Sequence, residues 1–166
     1  MGRRGYISMN RGVTTVISAL AGALLGVGFA GNAAYKKVNE LEEKSERYLA
    51  LYRMMDKWME VKQEGKNLSM YFQKRGYTRI AIYGMSRAGR TLYNELEKTE
   101  ITVVYGIDRC AESLYADVDI YTLDDSLEQV DAVVVTAISY FEEIKKDILA
   151  KMDCPVISLE DILYEV

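Results

Sequence analysis

One stretch, residues 79–97, restricts the fold of this chain more than any other part of it. It begins with the apolar run Ile80–Tyr83, which is typical of a strand covered on both faces. Apolar residues then recur at helical spacing. Between strand and helix, Gly84 and Gly89 occupy the first and third glycine positions of a dinucleotide-binding fingerprint, with Ser86 at the second. The stretch therefore predicts a strand, a tight turn and a helix.

The remaining sequence predicts that this unit opens a small α/β domain over residues 77–166. Four further strand-like runs follow it: Ile101–Ile107, Val118–Tyr121, Asp131–Ala137 and Pro155–Ser158. Strands that alternate with helices through short loops imply a parallel sheet, because a parallel connection needs a crossover. Right-handed crossovers then give five strands in the order 3-2-1-4-5.

Polar residues at the expected helix starts supply caps for the connecting helices. Asp124 or Asp125 can cap one helical turn that extends to Gln129, and Ser139 with Glu142 forms a capping box. The capping-box helix is expected to reach about residue 151. Ser158 is expected to cap the closing helix, which reaches residue 164.

The predicted strand order has its switch point between strands 1 and 4, where open α/β sheets bind ligands. In a dinucleotide site the first glycine makes the turn and the third lets helix and strand pack closely. Ser86 carries a Cβ where the second glycine admits pyrophosphate, but it adds a hydroxyl donor. Asp108 follows Gly89 by 19 residues, at a position where an acid hydrogen-bonds a ribose, and adjacent Arg109 leaves room for a 2′-phosphate. The predicted binding residues are Gly84, Met85, Ser86, Arg87, Ala88, Gly89, Asp108, Arg109 and Thr136.

The ligand predicted for this turn is NAD or a nucleotide sugar, with NAD favoured over NADP. Two alternatives stay open at this point. A glycine-bounded turn also occurs in βαβ units that bind nothing, and a helix start attracts other anions such as a sugar phosphate or coenzyme A.

The N-terminal region predicts a membrane anchor. After a basic segment, residues 1–12, the run Val13–Gly31 contains about 19 uncharged residues, close to the length that crosses a hydrocarbon core. Residues 18, 22, 26 and 30 are small and four apart, so the Gly22/Gly26 face predicts helix self-association. The alternatives are a cleaved signal peptide and a helix that is buried in a soluble domain or lies on the membrane surface. Basic residues flank both ends of this run, so the distribution of positive charge does not fix its orientation in the membrane. The C-terminal domain is expected in the cytoplasm because of its nucleotide-type turn and its free cysteines.

Residues 33–65 predict a long helix that follows the anchor. A heptad seam comprises Val38, Leu41, Tyr48, Tyr52, Met55 and Met59, with Ser45 as a polar gap. A second apolar row comprises Leu51, Met54 and Trp58. Two interpretations compete: a dimerising coiled-coil stalk, or an amphipathic helix folded onto its own domain. A short lead-in helix within residues 66–76 is capped by Asn67 and ended by Gly76.

Residues 78–166 resemble the compact Rossmann-like modules of nucleoside-diphosphate-sugar epimerase and dehydratase proteins and of partners of sugar-modifying enzymes. The segments that carry the resemblance are Ile80–Gly84, Gly89, Val104–Asp108 and Asp131–Thr136. With its anchor and lead-in, the whole chain also resembles small membrane-attached proteins of gut-type Gram-positive bacteria. That second resemblance implies a link to surface polysaccharide and no assigned activity.

The composition argues against an independent enzyme. The chain contains no histidine, which removes the commonest general base and the commonest metal ligand. A net charge of −4, with no dense basic face in either half of the chain, argues against a nucleic-acid binder. The Tyr-x-x-x-Lys pair of sugar-nucleotide enzymes is missing, since Tyr140 precedes Lys145 by five residues, and no substrate domain follows strand 5. No catalytic or metal-binding residue is therefore predicted.

The sequence as a whole favours a single-pass membrane protein whose domain binds a nucleotide or dinucleotide as a regulatory or scaffold module. Its expected partners are a second copy of the chain and an envelope or polysaccharide-synthesis protein. One alternative is an enzyme subunit that a partner completes and that modifies nucleotide sugars. The other is a purely structural membrane adaptor with an empty Rossmann-like fold.

Overall fold

A computed structural model describes the backbone of residues 11–166 and the side chains of residues 34–166. The chain divides into two compact units, of which the first ends at Glu46 and the second covers Arg47–Val166. Helix α1 covers Arg11–Gln63 and thus contributes to both units.

The first unit contains the N-terminal part of α1. Its described side chains are mostly exposed, and Lys37 and Glu40 form an ion pair at 3.6 Å. The span predicted for residues 13–31 lies outside the residues whose side chains are described. Within residues 34–166, no helix has the length and apolar character needed to cross a membrane.

The second unit alternates strands with helices. After α1 its elements are α2 (Ser69–Arg75), β1 (Arg79–Tyr83), α3 (Arg87–Leu96), β2 (Thr102–Ile107), β3 (Ile120–Tyr121), β4 (Ala132–Val135), α4 (Phe141–Leu149), β5 (Val156–Ser158) and α5 (Leu159–Glu165). Two short 3-10 helices, Ala111–Ser113 and Ile138–Tyr140, lie in the connections.

All five strands are parallel, in the order β3-β2-β1-β4-β5. This confirms the predicted sheet and its order 3-2-1-4-5. At the end of the central strand, Tyr83 pairs with Ile107 of β2 and with Val135 of β4. The switch point therefore lies between β1 and β4, where consecutive crossovers turn in opposite directions along the sheet.

Alternate residues of the central strands form two cores, one on each face of the sheet. Ile80 and Ile82 pack on the face that α2, α3, α5 and the C-terminal part of α1 cover. Ala81 and Tyr83 pack on the other face, against α4. Burial on both faces explains why these strands are nearly continuous in apolar residues.

Helix α1 contributes one row of side chains to the first core. Met54, Trp58 and Val61 are buried, and their spacing of four and three residues places them on one side of the helix. Leu51, assigned with them from the sequence, remains 42% exposed. The C-terminal part of α1 is thus folded onto its own domain.

One carboxylate joins three segments beneath this row. Glu95 of α3 accepts a hydrogen bond from Trp58 Nε1 at 2.8 Å and another from the backbone N–H of Leu68, also at 2.8 Å. Lys62 Nζ lies 3.1 Å from the same carboxylate, whose side chain is only 7% exposed. Three donors thus pair with a largely buried charge and offset the cost of removing it from water.

Two predicted local structures are wrong. The helical turn predicted from Asp124 or Asp125 to Gln129 is a turn and irregular chain, because the Asp125 carboxylate accepts from the backbone N–H and the hydroxyl of Thr122 at 2.7 and 2.8 Å. That carboxylate closes a turn before any helix begins. The Ser139 capping box is also absent, since Ser139 lies within the 3-10 helix and α4 starts after Tyr140 without a side-chain cap.

The closing helix follows the prediction, since Ser158 caps α5 and its Oγ accepts from the N–H of Glu160 at 3.2 Å. At α2 the N-cap is Leu68, without a side-chain cap, so the predicted cap Asn67 lies one residue too early; its Oδ1 accepts from the N–H of Ser69 at 2.9 Å. Gly76 ends α2 with φ of 71°. The left-handed conformation at this position favours glycine.

The Asp131 carboxylate joins the start of β4 to the start of β1 by hydrogen bonds. These bonds predict that the free energy of unfolding depends on pH. Asp131 Oδ2 accepts from the N–H groups of Arg79 and Thr78 at 2.8 and 2.7 Å, and these bonds lower the pKa of the Asp131 carboxyl. A lowered folded-state pKa contributes stability above the unfolded-state value of about 4, and that stability is lost as pH falls through the folded-state value. We therefore expect Asp131→Asn to be less stable than wild type at neutral pH, with the difference shrinking below about pH 4.

Urea unfolding at a series of pH values measures this difference. Asp147→Asn, on the exposed surface of α4, is the control. A gap between wild type and Asp131→Asn that is constant from pH 7 to pH 3 would contradict the assignment.

Candidate functional site

The turn after β1 is closed by contacts that only glycine allows. Gly84 has φ of +94°, and a Cβ placed there would lie 2.7 Å from Thr136 Oγ1. A Cβ placed on Gly89 would lie 2.2 Å from the carbonyl oxygen of Gly84. Gly84 thus makes the tight turn and Gly89 lets α3 pack against the strand end, as the fingerprint predicts for its first and third positions.

Met85 turns inward, not toward solvent. It is fully buried, and a Cβ placed on Gly106 of β2 would lie 2.5 Å from its Cγ. Ala88, on the first turn of α3, is also buried. These two predicted binding residues therefore contribute to the core that supports the turn.

Asp108 holds the turn from the end of β2. Its Oδ2 accepts from the N–H of Met85 at 2.9 Å, and its Oδ1 accepts from the N–H of Cys110 at 3.0 Å. Each carboxylate oxygen has a second lone-pair direction, so these bonds leave acceptor capacity. The structure thus gives Asp108 a positioning role for the turn, beside the ribose contact predicted from the sequence.

Thr136 joins β4 to the same turn. It is buried, and its hydroxyl lies 2.6 Å from the carbonyl oxygen of Gly84 and 3.2 Å from that of Tyr83. Its hydroxyl proton is therefore used within the protein. Thr136, predicted as a binding residue, therefore joins β1 to β4 through its hydroxyl.

Ser86 and Arg87 are the predicted site residues that face solvent at the start of α3. Ser86 precedes the helix in an extended conformation and makes no side-chain cap. Both side chains are exposed. The start of α3 also carries the positive end of the helix dipole, which attracts anions.

Arg109, after the end of β2, contacts helix α4. Its Nη2 lies 3.1 Å from Glu143 Oε1 on the first turn of α4. Hydrogen bonds to Tyr83 and then Glu143 raise the pKa of the Arg109 guanidinium. The pair joins the end of β2 to α4 past the end of β1, and it is exposed enough that its net contribution to stability is small.

A cavity of about 420 Å³ lies at the carboxyl ends of β4 and β5. Its lining residues come from the starts of α4 and α5 and from the 3-10 helix before α4: Ile138, Ser139, Tyr140, Phe141, Glu142, Glu143, Ser158, Glu160 and Asp161. The lining contains four carboxylates and no basic residue. None of the predicted binding residues lines it.

The cavity and the turn are nevertheless neighbours in the fold. Thr136 contacts Gly84, and Ile138, two residues further on, lines the cavity. Glu143 of the lining is the partner of Arg109. Arg47 of α1 donates to Tyr140 Oη at 3.0 Å on the same lining. From the sequence, Ser139, Glu142 and Ser158 were expected only as helix caps. The signal that could have identified the cavity is the sheet order, because it places the starts of α4 and α5 at adjacent strand ends.

The two cysteines differ in environment and are unpaired. Cys110 is exposed after β2, whereas Cys154 is buried and burial raises the pKa of its thiol. A raised pKa disfavours the nucleophilic thiolate. Within residues 34–166, no cluster of three or more acids and cysteines is arranged to hold a metal ion.

Comparison with known proteins identifies one family with similarity to this region. Residues 76–156 match the family described as C2185-like, N-terminal. No curated protein and no solved structure matches the chain. The matched segment begins at the C-cap of α2 and ends in β5, so it includes the Gly84–Gly89 turn, Asp108 and Thr136. The chain is therefore similar to the C2185-like N-terminal family over its sheet and candidate site.

Proposed function

We propose that the α/β domain binds a nucleotide or nucleotide sugar without transforming it and acts as a regulatory or scaffold module. The observation that carries the proposal is the close packing of Gly89 on Gly84 at the switch point of the sheet. This packing brings the start of α3 to the strand end with Ser86 and Arg87 exposed. A phosphate at that position gains the helix dipole, backbone donors and a cation.

The acidic cavity beside the turn favours a nucleotide sugar over NAD. Its four carboxylates can accept hydrogen bonds from sugar hydroxyls, of which a hexose offers more than the nicotinamide ribose of NAD. A ligand with its phosphates at the start of α3 and its sugar toward Glu143 satisfies both regions. This arrangement is consistent with the resemblance to nucleotide-sugar modules.

The proposal includes tethering of the domain to a membrane by residues 13–31. The uncharged run in the sequence supports it. In this scheme the domain is cytoplasmic and reports ligand to an envelope or polysaccharide-synthesis partner. Digestion of the domain by protease added outside intact cells would contradict that orientation.

Calorimetry of the purified full chain against NAD, NADP and nucleotide sugars tests binding. We expect the nucleotide sugar to bind most tightly, and Arg87→Ala to weaken it about tenfold because a charge-assisted contact to phosphate is lost. Arg90→Ala, which removes an exposed arginine one turn further along α3, is the matched control. The lack of binding to any of these ligands at millimolar concentration would remove the proposal.

A structural adaptor is the second candidate, and the internal bonds of Asp108 and Thr136 favour it. Both side chains stabilise the turn without a ligand. An adaptor predicts that Arg87→Ala and Arg90→Ala behave alike and that partner recruitment continues in both. Weakened binding in Arg87→Ala alone distinguishes the module from the adaptor.

A further inference from the structure

In the second unit, helix α1 has a second apolar face that is largely exposed. Within the second unit, the seam residues Tyr48, Tyr52, Met55 and Met59 are 63%, 67%, 37% and 59% exposed. At 3.6 residues per turn they lie roughly 120° around the helix from the buried row of Met54, Trp58 and Val61. The domain and the seam therefore use different sides of α1.

In the sequence, the same heptad spacing extends toward the N-terminus. In the first unit Val38 and Leu41 are 51% and 54% exposed. With Ser45 as the one polar position, the residues 38, 41, 45, 48, 52, 55 and 59 alternate steps of three and four through three heptads. This repeat indicates pairing with another helix of the same period. Isolated exposed apolar residues would need no such explanation, but a periodic stripe does.

We infer that the seam is covered by α1 of a second copy of this chain, in a parallel, in-register, two-stranded coiled coil. Charge at the flanking positions selects the orientation. In a parallel pair Lys37 at a g position faces Glu42 at the following e′ position, and symmetry makes this contact twice. An antiparallel pair joins e to e′ and g to g′, and along the seam it brings no opposite charges together, because the e positions hold Glu42, Leu49 and Asp56 and the g positions hold Lys37, Lys44, Leu51 and Trp58.

The domain itself limits the assembly to two strands. Higher-order coiled coils cover the flanking positions of each helix as well as its seam. Trp58, at a flanking g position, is 3% exposed because its own domain covers it. Near Trp58 the domain thus occupies one flank of the seam and leaves no room there for a third helix. The polar Ser45, which faces its counterpart in a parallel pair, adds register specificity at some cost in stability.

Sedimentation of the full chain in mild detergent tests the interface. We expect wild type to be dimeric and Tyr52→Glu to dissociate about tenfold more readily, since it places a charge in the seam. Arg53→Glu introduces the same side chain one position away, on an exposed surface outside the seam, and should leave the dimer intact. Lys37→Glu should also weaken the dimer, and Glu42→Lys in the same chain should restore it. A monomeric wild type, equal behaviour of the two glutamate variants, or a dimer that survives Tyr52→Glu would overturn the inference.

Cysteine cross-linking tests the orientation and register. In a Cys110→Ser background, which removes the exposed native thiol, Leu41→Cys at a seam position should form an intermolecular disulfide on mild oxidation. Glu43→Cys, on the opposite side of the helix, is the matched control and should not. Equal cross-linking of both, or of neither while the chain is dimeric, would contradict a parallel in-register pair.

Discussion

Replacing Gly89 by alanine is expected to destabilise the domain by about 3 kcal/mol or more. Helix propensity alone predicts the opposite, because alanine in a helix is favoured over glycine by about 1 kcal/mol. The added Cβ would lie 2.2 Å from the carbonyl oxygen of Gly84, a backbone atom at the end of the central strand. The clash can be relieved only by moving α3 off β1 or opening the turn, and both expose buried core.

Urea unfolding followed by Trp58 fluorescence measures the effect, since this side chain is the single tryptophan and lies in the core beside α3. Gly65→Ala is the matched control: Gly65 has φ of +73° but no atom within 4 Å of a Cβ placed on it. It should cost only the roughly 1 kcal/mol of a left-handed non-glycine residue. A Gly89→Ala variant as stable as Gly65→Ala would show that the turn relaxes easily.

Replacing Glu95 by alanine is expected to cost about 3 kcal/mol. The substitution leaves the indole N–H of Trp58 and the backbone N–H of Leu68 without their acceptor in a mostly buried place. Glu95→Gln should fall between wild type and alanine, because its amide keeps one oxygen acceptor but turns an NH₂ group toward the second donor.

Circular dichroism in urea suits this comparison, since the probe must not depend on the environment of Trp58. Glu97→Ala, two residues further along and exposed, should stay within about 0.5 kcal/mol of wild type. Equal free energies of unfolding for Glu95→Ala and Glu97→Ala would contradict this prediction. They would mean that water replaces the carboxylate at both donors and that apolar contacts alone hold α1.

The strand order followed from the sequence because the central strands are buried on both faces and are linked by short crossovers. Ile80–Tyr83 and Ala132–Val135 are almost entirely apolar, which only a covered parallel sheet explains. The roles of Gly84 and Gly89 also followed, since a strand that passes directly into a helix needs a tight turn and close packing there.

Details that depend on competition between local hydrogen bonds could not be predicted from the sequence. Asp125 is a good helix cap in isolation, but its carboxylate is taken by Thr122. Asp108 matched a ribose-binding position, yet sequence spacing could not indicate that the N–H groups of Met85 and Cys110 also reach it. Of the two interpretations of α1, packing onto its own domain is seen for Met54 and Trp58, whereas the dimerising stalk stays a prediction for the exposed heptad positions.

The contact between Met85 and Gly106 carries an evolutionary consequence. Any side chain at position 106 would enter the space that Met85 fills, since even a Cβ would lie 2.5 Å from its Cγ. Relatives of this chain can therefore change the two positions only together, and a relative with alanine or valine at 106 should carry a smaller residue at 85. This pairwise constraint offers a signature by which distant sequences with the same inward-turned residue at position 85 can be identified.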